Sequence, residues 1–145
     1  MISRFSVHIN AESGRKMSSE ITEMIYEDAI NLKNMMQYQV GVLVLCDNNL
    51  RKGESPPKVL AMIKRLMIKV RRIQRFHLVI ASLIPTPESA AQDAIFKQFD
   101  IDLEALVKSF PNERFSFLSL KRAFRINGIL CHQRFYSLIW APAIP

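Results

Sequence analysis

Short apolar segments alternate with longer amphipathic ones along the chain, and the two patterns predict different elements. Residues 4–10 alternate polar and apolar side chains, which is the two-residue period of a strand. Over 19–35 the apolar side chains recur at every third or fourth position, as they do on one face of a helix. The continuous apolar run over 40–45 is rich in β-branched residues and predicts a second strand that is covered on both faces.

The second half of the chain continues this alternation. Apolar side chains three and four positions apart predict a helix over 58–73, and the apolar run over 76–83 predicts another buried strand. A second amphipathic pattern predicts a helix over 96–107, and 115–118 is predicted to be the last strand. Strands and helices therefore alternate throughout the predicted elements.

The order of these elements predicts the fold class. Alternating strands and helices with right-handed crossovers give a three-layer α/β/α sandwich around a parallel sheet. The polar stretch 46–57 is predicted to be a loop, and Asn127-Gly128 is a turn signal. A chain of 145 residues suits one domain, which we place at 1–137, and 138–145 is predicted to be an irregular tail that contains prolines.

Cysteine content and hydropathy indicate the compartment. Cys46 and Cys131 are the two cysteines; they have no short-spaced partners, and free thiols suit a reducing environment. No apolar run approaches the roughly 18 residues that a membrane-spanning helix needs. Residues 1–10 lack the apolar core of a signal peptide. We therefore expect an intracellular, cytoplasmic protein without a membrane span.

Positive charge is concentrated in one segment. The formal net charge is +7, and residues 58–75 include seven basic side chains and no acidic one. An exposed row of cations can contact the phosphates of RNA or another nucleic acid, with an affinity that falls as salt rises. The same pattern also fits the solvated outer face of a helix. The candidate phosphate contacts are Lys64, Arg65, Arg71, Arg72 and Arg75.

Motifs for cofactor or metal chemistry are not found. The segment 13–16 has a single glycine, whereas phosphate-cradling loops need several glycines at fixed spacing, so we expect no nucleotide cofactor. Cys131 and His132 are adjacent and would point to opposite sides of a strand. No further ligands can be located for them, and no metal site is predicted.

One loop carries a family resemblance. An apolar strand runs into the segment 46–51, Cys-Asp-Asn-Asn-Leu-Arg. This resembles the third sequence block of SGNH hydrolases (GDSL-type esterases and lipases), where a strand runs into Gly-x-Asn-Asp-Leu-Arg. Ser13-Gly14 resembles the glycine block of that family, and 77–85 is similar to its next strand with a proline-ended loop. Spacing and order agree over roughly residues 5–137, nearly the whole chain.

The resemblance implies a flavodoxin-like parallel sheet and the chemistry of ester hydrolysis. In that family a serine in a Gly-Asp-Ser block attacks the ester, and an Asp-x-x-His pair activates the serine. Glycine and asparagine groups stabilise the oxyanion, and Gly14 and Asn48 match these two donors. Cys46 stands where the family has glycine, and Asn49 stands where it has aspartate.

The sequence departs from the family at the catalytic residues. It contains neither Gly-Asp-Ser nor Asp-x-x-His, and it begins at what would be the second strand of the family, so we expect a truncated sheet whose first strand is missing. A nucleophile needs a base within hydrogen-bond reach, so this departure from the family predicts a domain without catalysis. Ser13, Ser82 and Ser89 lie on no recognisable nucleophile elbow and fit capping or turn roles.

Several functions stay open at this point. The chain is a non-catalytic SGNH-like module for binding or scaffolding, a residual ester hydrolase that uses an unrecognised serine, or a basic module that binds RNA or other nucleic acid. A fragment without independent function is a further alternative. Without the first strand, either the second and third strands pair directly or the sheet has an unpaired edge, where a protein partner can supply a strand.

Overall fold

The computed structural model describes most of the chain between residues 9 and 130. The described residues are 9–12, 14–33, 38–84, 89–111, 114–120, 125–126 and 129–130. Their elements in chain order are α1 (Ser19–Lys33), β1 (Gln39–Leu43), α2 (Asp47–Arg51), α3 (Pro56–Val70), β2 (Phe76–Ala81), α4 (Ala90–Ser109), β3 (Phe115–Leu118), β4 (Arg125–Ile126) and β5 (Ile129–Leu130).

Three of the strands form a parallel sheet in the order β1-β2-β3. Gln39 of β1 lies opposite Phe76 of β2, and Leu78 of β2 lies opposite Phe115 of β3. The strands β4 and β5 pair with each other in antiparallel fashion. The sheet is flanked by helices, and the predicted α/β class with a parallel sheet is confirmed.

One apolar core joins the sheet to α1, α3 and α4. The crossovers from β1 to β2 and from β2 to β3 advance in the same direction, so right-handed connections place α3 and α4 over the same face of the sheet. Each large apolar side chain buried in this core contributes roughly 1.5–3 kcal/mol of transfer free energy. The core includes Ala29 of α1, Val59, Ile63, Leu66 and Val70 of α3, Phe96, Phe99, Leu103 and Val107 of α4, and Phe76, Leu78, Ile80 and Phe115 of the sheet.

The opposite face of β1 is open among the described residues. Side chains alternate between the two faces of a strand, and burial alternates accordingly along β1. Gln39 is buried, whereas Val40 and Val42 are 60% and 61% exposed. The prediction of a strand covered on both faces is therefore wrong for β1. The described helices pack against the face that carries Gln39, and the face that carries Val40 and Val42 is exposed. A continuous apolar run identifies a strand but not the number of its covered faces.

Several predicted boundaries differ from the observed ones. The predicted loop 46–57 contains α2, which sequence analysis missed, and α3 begins at Pro56 rather than Lys58. Proline is favoured in the first turn of a helix, since its fixed φ suits the helix and its missing N–H would have no partner there. β3 has the predicted bounds.

Some predictions fall largely outside the described residues. Of the predicted strand 4–10, only residues 9 and 10 are described, and they are not in a strand. The turn signal at 127–128 lies between β4 and β5, which pair in antiparallel fashion, but the two residues themselves are outside the described part. The predicted tail 138–145 and the Cys131-His132 pair are also outside it.

Candidate functional site

The connection after β1 begins with an unusual backbone conformation at Cys46. Its φ is 89°, in the left-handed region, and its side chain is buried just before the first turn of α2. A side chain is disfavoured at such a φ, and glycine is the residue that adopts it most readily. This is the position where the SGNH pattern has glycine, so the backbone here has the conformation that the family residue would favour.

Asn48 and Gly14, the two predicted oxyanion donors, lie near each other, Asn48 in α2 and Gly14 in the turn before α1. The amide Nδ2 of Asn48 donates a hydrogen bond to the backbone oxygen of Arg15, at 3.2 Å. Gly14 is the preceding residue, in an exposed turn with a φ of 74°. The structure therefore brings the two residues together, but one amide hydrogen of Asn48 already bonds α2 to the segment after Gly14.

Asn49 is the buried link between α2 and the segment before α1. Its Oδ1 accepts a hydrogen bond from the Met17 amide at 2.7 Å, and its Nδ2 donates to the Met17 oxygen at 2.9 Å. The same Nδ2 donates to a carboxylate oxygen of Glu54 at 3.2 Å. An ionised aspartate at this position could make neither donation and would lie against the Glu54 charge. The contacts therefore give a physical reason for an amide rather than a carboxylate at position 49.

The Cys46 thiol lies in surroundings that suppress its ionisation. Burial raises its pKa to about 12, and the negative charges of Asp47 and Glu54 add to the rise. A thiol is nucleophilic in its deprotonated form, so Cys46 is a poor nucleophile at neutral pH.

A hydroxyl and an imidazole do meet in the structure, on β2 and β3 rather than in the segment after β1. The Nε2 atom of His77 and the Oγ atom of Ser116 are 2.7 Å apart, across β2 and β3. His77 is level with Val40, at the start of β1, whereas Asn48 follows the end of that strand. Ser116 is level with Val79, in the second half of β2, so the pair spans the middle of β2 and β3. No described carboxylate contacts the imidazole.

Two of the three serines that sequence analysis considered have structural roles. The Ser82 hydroxyl is buried and accepts a hydrogen bond from the Leu120 amide at 2.8 Å. Ser89 is the N-cap of α4, and its hydroxyl accepts from the Gln92 amide at 3.0 Å. Ser13 lies outside the described residues.

The five candidate phosphate contacts are all exposed. Lys64 and Arg65 are on α3, and the three arginines follow in the turn that leads to β2. Arg114 holds this turn, since its Nη1 donates to the backbone oxygens of Arg71 at 2.8 Å and Ile73 at 2.9 Å. None of the five side chains has an ion-pair partner within the part of the chain that the structure describes.

A cleft between α1 and α3 contains further cations that sequence analysis did not single out. We call it the α1–α3 cleft; its volume is about 460 Å³. Lys69 forms an ion pair with Glu23, and its ammonium group lies 4.8 Å from the ring centre of Tyr26. The positions 58, 65 and 69 are one or two helical turns apart, a spacing that could have revealed the cluster. The cleft is lined by Ser19, Thr22, Glu23, Lys58, Ala61, Met62, Arg65 and Lys69.

The described residues contain neither a metal-binding cluster nor a membrane-spanning helix. No group of three or more histidine, cysteine, aspartate or glutamate side chains is placed to hold a metal ion. No described helix is both long enough and apolar enough to cross a membrane.

Comparison of the chain with protein-family models, with curated proteins and with solved structures found no match.

Proposed function

We propose that this chain is a non-catalytic binding domain with an SGNH-hydrolase-like architecture. The proposal depends mainly on the hydrogen-bond partners: His77 bonds to Ser116 on β2 and β3, whereas Asn48 lies in α2 and bonds to the backbone oxygen of Arg15. Oxyanion donors accelerate a reaction only where a nucleophile attack creates the charge that they stabilise. The left-handed backbone at Cys46 supports the likeness to the family, and the contacts of Asn48 and Asn49 support a structural role for the loop.

An esterase assay tests the absence of catalysis. We expect the purified chain at high concentration to hydrolyse p-nitrophenyl acetate no faster than its Asn48→Ala and Ser116→Ala variants do. Each substitution removes one of the two groups that a residual hydrolase would need, and any hydrolysis common to all three proteins is non-specific. Turnover that either substitution abolishes would instead support the residual ester hydrolase.

The exposed cations favour nucleic acid, RNA in particular, as the ligand of this domain. Lys64, Arg65 and the three arginines of the following turn, which we call the basic segment, have no ion-pair partners among the described residues. Phosphate contacts of this kind give affinity without reading the sequence. Arg114 supports the segment, because its guanidinium fixes the turn that carries Arg71 and Arg72.

Salt-dependent binding of single-stranded RNA tests this part of the proposal. The triple variant Arg71→Glu, Arg72→Glu, Arg75→Glu should bind RNA at least about tenfold more weakly than the wild type. The slope of log affinity against log salt is negative, and its magnitude should decrease by about two. Lys97→Glu with Lys108→Glu on α4 is the control, since it also lowers the net charge but lies outside the basic segment. Equal affinities of wild type and triple variant, or binding that ignores salt, would contradict RNA binding by this segment.

The sheet also offers a surface that suits a protein partner. Among the described strands β1 pairs on one side only, with β2, and it carries the exposed Val40 and Val42. An edge strand with unpaired backbone groups can accept a strand from another chain. Strand addition at β1 is therefore the mode of protein binding that we propose for this domain.

A further inference from the structure

The cations of the α1–α3 cleft form one row along α3. Lys58, Arg65 and Lys69 are seven and four residues apart, which places them on the same side of the helix. That side faces the first turns of α1, where Ser19 and Thr22 line the cleft. Lys64 is on the same helix but does not line the cleft. The row is therefore distinct from most of the basic segment, and Arg65 is the residue that belongs to both.

The charge in the cleft is incompletely balanced. Glu23 is the acidic residue of the lining, and it is already paired with Lys69. Lys58 and Arg65 have no carboxylate partner within the described part of the chain. Two cations thus face an open space without a counter-charge, which favours an anionic ligand there. Guanidinium and ammonium groups both bind phosphate oxygens well.

The remaining lining and the volume indicate the size and kind of ligand. Ala61 and Met62 add an apolar surface beside the cations, and the hydroxyl of Ser19 adds a polar group. A volume of 460 Å³ lies within the roughly 300–1,000 Å³ that is usual for small-molecule sites. The cleft therefore suits an anion with an apolar part more closely than a bare ion.

We propose that the α1–α3 cleft binds a small organic phosphate monoester. Lys58 and Arg65 hold the phosphate, and Met62 contacts the organic group. The ion pair of Lys69 with Glu23 joins α3 to α1 at the side of the site. This proposal goes beyond the binding of RNA to the basic segment, and neither depends on the other.

Titration with phenyl phosphate, followed by protein NMR, tests the site. The NMR chemical shifts of cleft residues should change and reach a plateau as phenyl phosphate is added. Phenyl phosphate should bind more tightly than inorganic phosphate because its ring contacts Met62. Lys58→Glu should weaken the binding at least about tenfold, the effect of losing one charge-assisted hydrogen bond. Lys64→Glu should leave it unchanged, since this residue has the same charge on the same helix outside the cleft. Lys58 is exposed in the first turn of α3, where a glutamate is favourable, so the variant should remain folded.

Two further titrations separate this proposal from its alternatives. If phenyl phosphate does not bind and Lys58→Glu weakens RNA binding, the cleft belongs to the nucleic-acid surface and the proposal is overturned. If the chain binds phosphatidylcholine vesicles that contain phosphatidic acid but not phenyl phosphate, the ligand is a lipid headgroup and the proposal is also wrong. Saturable binding of phenyl phosphate that requires Lys58 supports the proposed phosphate monoester site, whether or not the chain binds RNA.

Discussion

Replacing Asn49 with alanine should lower the free energy of unfolding by about 3 kcal/mol, on the basis of about 1 kcal/mol for each of its three hydrogen bonds. The side chain is fully buried, and the substitution leaves both backbone groups of the buried Met17 without this partner. Urea denaturation followed by circular dichroism measures the change. The matched control is Asn48→Ala, which removes one 3.2 Å bond of a half-buried side chain and should cost about 1 kcal/mol or less.

The variant Asn49→Asp separates the donated hydrogen bonds from the volume of the side chain. Aspartate has nearly the same size and can still accept from the Met17 amide, but in its ionised form it cannot donate to the Met17 oxygen or to Glu54. We expect it to be destabilised near neutral pH and to recover part of the loss at acidic pH, where the carboxyl is protonated. If Asn49→Ala and Asn48→Ala have equal stabilities, the view of Asn49 as the link between α2 and the segment before α1 is wrong.

Ionisation of Cys46 should weaken the fold at alkaline pH. In the unfolded chain the pKa of a cysteine is about 9.0, whereas burial raises the pKa of Cys46 to about 12. Between these pH values the unfolded state releases a proton that the folded state keeps, so unfolding becomes more favourable. The stability that comes from keeping the buried thiol protonated is fully present below pH 9 and is lost as the pH rises toward 12. The difference between the two pKa values corresponds to a loss of about 4 kcal/mol at most in the free energy of unfolding.

Denaturation from pH 8 to pH 11 in a Cys131→Ser background measures this loss. The control is Cys46→Gly in the same background, because glycine lacks the thiol and accepts a φ of 89° without strain. Titration of lysines and tyrosines affects both proteins alike, so the difference between the two profiles reports Cys46. Parallel profiles would mean that the thiol is far more accessible to water than its burial indicates.

Sequence periodicity predicted the elements well because it records which side chains must avoid water. The helix over 96–107 lies within α4, and the strand over 115–118 has its observed bounds, since both patterns reflect burial on one face. The same argument failed for β1, where Val40 and Val42 are exposed although the run is apolar throughout. Periodicity reports side-chain chemistry along one strand and has no information about how many layers cover it.

The candidate site was predictable only in part. The resemblance of Ser13-Gly14 and of the segment 46–51 to the SGNH pattern predicted Gly14 and Asn48 as a pair of donors. These two residues do lie near each other, since Asn48 bonds to the residue that follows Gly14. The role of Asn49 could not be predicted, because its hydrogen bonds reach a residue 32 positions away in sequence. The His77–Ser116 contact likewise depends on the parallel register of β2 and β3.

The sequence alone determined the order of the longer helices α1, α3 and α4 and of the strands β1, β2 and β3 between them, the parallel α/β class and the concentration of positive charge after residue 58. These properties depend on local periodicity, crossover handedness and composition, all of which act within short stretches of chain. The tertiary structure decided which cations face the α1–α3 cleft, which face of β1 is open, and which asparagine is buried between α2 and the segment before α1. Those properties depend on contacts between distant segments, whose distances and burial exist only once the helices have packed on the sheet.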